Sequence, residues 1–191
     1  MEKVLIATHN KGKAKELVEA FKNFPYEIVT LDDLGVTEDC EETCDTFAGN
    51  ALQKAKFYHK LTGYPTISDD SGLEVAELKG APGVYSARWT GEHADGKTNC
   101  AKLVEELNKI GKEESQARYV CAMAFVSDKK EISTIGILQG IVKTTPSGTN
   151  GFSYDPHFYY LGRSLGDMTF EEKNAISHRT KAINNLKRAL L

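Results

Sequence analysis

Within its first 21 residues the chain changes hydrophobic period, and that change narrows the fold more than any other feature. Lys3 to Ala7 is an apolar run of strand length. It breaks at the polar turn Thr8-His9-Asn10-Lys11-Gly12-Lys13, after which Ala14, Leu17, Val18 and Phe21 recur at helical spacing and make one apolar face. Glu27 to Leu31 reads as a second strand. A chain of 191 residues accommodates one domain or two closely packed lobes. At that size folding buries about 70% of the unfolded surface, so no metal or disulfide staple is needed.

The remaining elements follow the same logic. An acidic connection from Asp32 to Asp45 leads to a helix from about Thr46 to Leu61, with Ala48, Ala51, Leu52 and Ala55 as its expected buried stripe. Pro65 to Ser68 reads as a brief strand that runs into Asp69-Asp70-Ser71-Gly72, a cluster of turn formers. Residues 80–96 lack a clean period; Cys100, Leu103, Val104 and Leu107 then mark a third helix. Ala117 to Val126 and Ile132 to Thr144 predict an antiparallel pair turning near Ser127-Asp128-Lys129-Lys130. Ser147 to Pro156 is rich in turn residues and too short for a linker, so it reads as an ordered functional loop. Thr169 and Glu172 have capping-box spacing. A last helix points Ile183, Leu186 and Leu190 inward and is expected to set Lys181, Lys187 and Arg188 near its end, where they favour the macrodipole. The sum is an α/β fold with a mixed sheet.

The formal net charge of -3 offers no overall positive field, which argues against duplex nucleic acid as a partner and means that an anion must be held locally. No charged leader followed by a sustained apolar stretch opens the sequence, so the expected location is cytoplasmic, with no membrane anchor. Cys40, Cys44, Cys100 and Cys121 show no C-x-x-C pairing and are expected to be reduced structural thiols.

Four constellations carry chemistry. The turn at Thr8, Asn10 and Lys13 enters a helix, where free N–H groups, the dipole and a lysine favour an anion, or where Thr8 or Asn10 simply caps the helix. Phe47, Asn50 and Lys54 share a helix face with Ala51 beside them, the Asn-Lys pair either reaching a phosphate or forming an exposed flank. Asp69 and Asp70, with Glu41 and Glu42 upstream, are hard oxygen donors suited to Mg²⁺, or ordinary solvated acids in a turn. The fourth combines Gly151 to Asp155 with Lys173 and Ile176-Ser177-His178-Arg179, offering an aromatic face and fixed donors to a heterocycle, or a surface turn beside a basic helix start. Separately, Gly91-Glu92-His93-Ala94-Asp95-Gly96-Lys97-Thr98 satisfies the Walker A pattern. Its lead-in, Val84 to Thr90, makes a poor central strand, and Glu92 and Asp95 sit where phosphate would lie, so a surface loop is expected.

Taken together and in order, these segments resemble the inosine triphosphate pyrophosphatase family. The resemblance runs nearly end to end, on Thr8-x-Asn10-x-x-Lys13, Glu42 with Phe47, Asn50-Ala51 and Lys54, and Ser68-Asp69-Asp70-Ser71-Gly72-Leu73. It continues on Gly80 to Arg88, Gly151-Phe152-x-Tyr154-Asp155-Pro156 and Lys173-x-x-Ile176-Ser177-His178-Arg179. It implies one triphosphate-handling domain of two lobes, with a long mixed sheet, a nucleotide cleft between the lobes, and a homodimer. It also implies hydrolysis of non-standard purine triphosphates (ITP, dITP, XTP) to monophosphate and pyrophosphate with Mg²⁺. Asp70 would be proton acceptor and metal ligand, Glu42 the second metal ligand, and Thr8, His9, Asn10, Lys11, Gly12 and Lys13 the phosphate cradle. Lys54, Ser71, Phe152, Ser153, Tyr154, Asp155, Lys173, His178 and Arg179 would bind substrate. Departures from the family pattern fall at Cys44, Gly49, Asn150 and Ser153. A non-catalytic nucleotide sensor is the competing reading, and three acids at Glu42, Asp69 and Asp70 argue against it.

Overall fold

The first strand, β1 (Glu2–Ile6), pairs in parallel with β2 (Tyr26–Thr30) and with β3 (Thr66–Val75), with Leu5 opposite Val29 and Thr66. The structure, a computed structural model, describes residues 2–91 and 94–191. Between β1 and β2 lies α1 (Lys11–Phe21), where Leu17 and Phe21 are buried and Ala14 and Val18 only half-buried. Asn10 starts it by accepting the Lys13 N–H, at 3.0 Å. Thr46 caps α2 (Phe47–Thr62) in the same way, and Gly63 ends it in the left-handed region.

The buried stripe of α2 is Phe47, Asn50, Ala51, Ala55 and Tyr58, so the expected stripe is rotated: Ala48 and Leu52 lie at its margin. An inward Asn50 has no place in an apolar pattern, which is why periodicity misassigns the face. A larger correction concerns Asp69 to Gly72. These residues form no turn; β3 runs straight through them for ten residues. Their turn composition is overridden because partners from other elements meet both carboxylates, Lys13 at Asp69 and Asn50 at Asp70.

α3 (Gly96–Lys109) begins at Asp95, which shares a capping box with Thr98. Among the described residues no strand lies between β3 and α3: residues 83–85 are a 3₁₀ turn followed by further turns, so the Walker-like segment lacks the strand that a phosphate loop requires. Glu92 and His93 lie outside the described residues. β4 (Glu114–Val126) and β5 (Glu131–Lys143) form the expected hairpin, closed by the Ser127 N–H to the Lys130 carbonyl at 3.0 Å. β6 (Phe158–Tyr160) and β7 (Arg163–Ser164) continue the sheet antiparallel. Its order is β2-β1-β3-β4-β5-β6-β7, so the fold is mixed α/β. α4 (Phe170–Ile176) opens with the anticipated Thr169–Glu172 capping box. α5 (His178–Leu190) buries Ala182, Ile183, Leu186 and Leu190.

The chain divides into two compact units, one of residues 1–70, 122–135 and 182–191, the other of residues 71–121 and 136–181. The first has a core around Leu5, Val29, Leu31 and Tyr58; the second around Leu73, Leu103, Leu107, Leu138, Val142 and Phe158. All four cysteines are free thiols. Among the described residues no helix is long and apolar enough to cross a membrane.

Candidate active site

In the first unit the carboxylates and lysines gather at the C-terminal end of β1 and the middle of β3. Successive residues of a strand face opposite ways, so Asp69 and Asp70 find different partners. Asp69, 1% exposed, meets the Lys13 ammonium at 3.0 Å from α1. Asp70, 6% exposed, accepts from the fully buried Asn50 amide at 3.1 Å, and the Asn50 carbonyl is in turn held by the Cys44 N–H at 2.8 Å. Lys54 pairs with Glu42 and donates to the Asp69 carbonyl at 3.1 Å. Asn50 and Lys54 therefore point inward to acids and are no exposed flank.

Of these groups, three carboxylates stand against two ammonium ions. Burial more than charge shows in the titration of Asp70. Burial, and then the charge of Glu42, push its carboxyl up to about 6, against the opposing pull of Asn50, Lys54 and Lys13. Burial works against the Lys54 ammonium, yet Asp69, Glu42 and Asp70 outweigh it and hold its pKa above the ordinary value. Glu42 and Asp70 are hard oxygen donors, while among the described residues no three His, Cys, Asp or Glu gather into a group that could hold a metal ion.

The predicted cradle sits beside them. Thr8 accepts the Asn10 N–H at 3.2 Å, while His9 and Tyr58 share the Glu38 carbonyl. Lys11 and Gly12 are exposed in the first turn of α1. A groove of about 510 Å³ is lined by Thr8, His9, Lys11, Lys15, Thr30 and Asp32.

The second unit holds the aromatic loop. Gly151, at φ 78°, lets the Asp155 carboxylate fold back beneath the loop, where Oδ2 accepts the Phe152 N–H at 2.9 Å and the Lys173 ammonium. A side chain at 151 would place its Cβ 2.1 Å from that oxygen. The Phe152 ring is left 64% exposed, with the Lys173 ammonium 4.4 Å from its centroid. Ser153 takes a positive φ of 52°, and its carbonyl accepts from the Cys100 thiol. Tyr154 is 2% exposed and donates to the Ser86 carbonyl at 2.8 Å, so its side chain braces the loop from below. Ser177 caps α5 and so sets His178 and Arg179 in its first turn, both 6% exposed; Arg179 donates to the Ser71 hydroxyl at 3.2 Å. Sequence reasoning missed Tyr119, which touches Asp155 and His178. Its inward register on β4 is the only local signal.

The sequence profile of the Ham1 family matches residues 4–189. This chain belongs to the Ham1 family. Among its relatives, the dITP/XTP pyrophosphatase of Thermoanaerobacter sp. (strain X514) is 46% identical over 191 residues, covering 99% of this chain and 96% of that protein. The one from Shigella flexneri is 43% identical over 195 residues, covering 100% and 98%. The fold of a HAM1 protein from Coxiella burnetii superposes with a TM-score of 0.93 at 34% identity, covering 100% of this chain and 98% of that one.

Cys44 and Gly49 of this Ham1 chain fit one another: Gly49 leaves the space that Cys44 fills, and a Cβ at 49 would lie 2.8 Å from the Cys44 Cβ. Asn150 has its own task, binding the Gly166 carbonyl through its N–H and the Met168 carbonyl through its side chain.

Proposed function

We propose that this Ham1 chain hydrolyses the triphosphates of non-standard purines (ITP, dITP and XTP) to the nucleoside monophosphate and pyrophosphate, and so clears them from the nucleotide pool. The observation that carries the reading is the buried Asp70 carboxylate, held by the Asn50 amide and set among lysines that can exchange a carboxylate partner for a phosphate, where burial pushes its pKa up to about 6. A base of that strength is ionised at neutral pH and still accepts a proton from attacking water. The full-length kinship to proteins named dITP/XTP pyrophosphatases supports the substrate class.

Asp70 takes the proton of the water that attacks the α-phosphorus. Lys13 and Lys54 leave Asp69 and Glu42 to neutralise the phosphates, with Lys173 as a third ammonium, and the turn from Thr8 to Lys13 supplies backbone N–H donors. Mg²⁺, held by Glu42 and Asp70, would supply charge neutralisation for the leaving pyrophosphate. Phe152 stacks on the purine whatever its substituents. His178 and Arg179 donate to the 6-keto oxygen of hypoxanthine or xanthine, which adenine replaces with an amine. Donors left unpaired by the wrong base can discriminate by something like 10⁴-fold. The same reading makes the chain one catalytic domain, a homodimer and a cytoplasmic enzyme.

Product analysis tests it. Inosine triphosphate with Mg²⁺ should yield inosine monophosphate and pyrophosphate. Inosine diphosphate with orthophosphate would refute the assigned bond cleavage.

A further inference from the structure

Tyr119 is 7% exposed, and each part of it engages a different piece of the second unit. Its hydroxyl donates to Asp155 Oδ1 at 3.2 Å, while Oδ2 of the same carboxylate holds the Phe152 N–H and Lys173. Its ring lies over the His178 imidazole, with centroids 4.9 Å apart and planes within 11°, and packs on Phe158 at 4.6 Å. One phenol thus touches both the loop that presents Phe152 and the side chain that begins α5.

We propose that Tyr119 is a positioning residue for purine selection, fixing the stacking loop through its hydroxyl and the plane of His178 through its ring. The inference rests on the function proposed above. Without the hydroxyl, Asp155 loses the partner of one oxygen and is freer to rotate, which loosens the Phe152 N–H and Lys173 together. Without the ring, the imidazole loses the flat surface that orients it, and a donor that can swing no longer rejects an amine. Burial and the neighbouring Asp155 carboxylate push the phenol pKa well above its ordinary value, so the hydroxyl keeps its proton at any working pH.

Two variants separate the two roles. Tyr119→Phe keeps the stack and loses the hydrogen bond. A bond to a buried charge carries a roughly ten- to hundredfold weight, so KM for inosine triphosphate should rise about tenfold with kcat within about twofold. The ratio of kcat/KM for inosine over adenosine triphosphate should hold within about twofold, because both bases stack alike. Tyr119→Leu loses both contacts, and that ratio should fall about tenfold as well. Tyr159→Phe, which removes a bond to the Thr145 carbonyl, is the control and should leave KM and the ratio at wild-type values. Wild-type KM and wild-type ratio in both Tyr119 variants would overturn the proposal. If Tyr119→Leu does not fold, the Tyr119→Phe/Asp155→Asn pair decides. A double variant with a KM no worse than Asp155→Asn alone supports action through Asp155, and additive losses refute it. Absence of inosine triphosphate hydrolysis by the wild-type chain would refute the function itself, whereas wild-type turnover with unaltered variants refutes only Tyr119.

Discussion

At the scale of single residues, stability and chemistry pull Asp70 in opposite directions. Its folded-state pKa of about 6 lies above the ordinary 3.8, so the folded chain binds the proton more tightly than the unfolded chain. The contribution is fully present below about pH 4 and is lost as pH rises through 6. At pH 7.5, without metal, ionised Asp70 therefore costs about 2–3 kcal/mol. Asp70→Asn should raise the urea midpoint at pH 7.5, lose that advantage at pH 4, and abolish turnover while nucleotide still binds. A variant less stable than wild type at pH 7.5 would contradict the assignment. Gly49 carries a second residue-scale prediction. Alanine normally gains about 1 kcal/mol over glycine inside a helix. Here the Cβ would collide with Cys44, whose N–H orients Asn50 against Asp70, at an overpacking cost of about 1–3 kcal/mol. Gly49→Ala should destabilise, and the loss should shrink in a Cys44→Gly background, which leaves only the approach to Thr46 Oγ1 at 2.9 Å. Thermal unfolding of the single and double variants measures the coupling, and simple additivity would show that the two positions are independent.

Elements divide according to whether their cause is local. The capping box of α4 was legible because Thr169 and Glu172 are three residues apart and need nothing else. The β4–β5 hairpin and the helix after Thr8 were legible for the same reason: period and turn chemistry suffice. β3 was legible only as far as Ser68, because a strand through Asp69 and Asp70 is tolerated only once Lys13 and Asn50 arrive from α1 and α2. The candidate site splits the same way. Its residue types were visible as motifs, while the inward face of Asn50 and the role of Tyr119 depend on contacts that no spacing encodes. The loop of residues 147–155 is intermediate, legible as a turn-rich segment but not as a carboxylate-centred hook. Its shape hangs on Gly151, where both the positive φ and the nearness of Asp155 forbid a side chain. Gly151→Ala should therefore expel the Asp155 carboxylate, release Lys173 and raise KM about five- to hundredfold, an effect of about 1–3 kcal/mol. Steady-state kinetics on inosine triphosphate reads the change, and an unchanged KM would mean that the hook is dispensable.

For the molecule as a whole, the decisive feature is how often the chain passes between its two units. β3 crosses after Asp70, β4 after Cys121, β5 after Ile135 and α5 after Lys181, each in mid-element. Domains that unfold separately are usually joined by linkers with few contacts, whereas here the junctions are the hydrogen-bonded interiors of strands and a helix. Melting one unit would sever those ladders in the other. The chain should then unfold as one cooperative transition despite having two cores. Leu5→Ala, in the first core and fully buried, should cost about 3 kcal/mol. If the transition is shared, that loss appears across the boundary too. The amides of Leu138 and Val142, in the second core, should exchange with solvent about 100-fold faster under conditions where exchange reports global unfolding. Unchanged protection at Leu138 and Val142, with loss confined to residues 2–70, 122–135 and 182–191, would show two independent folding units that share strands only in name.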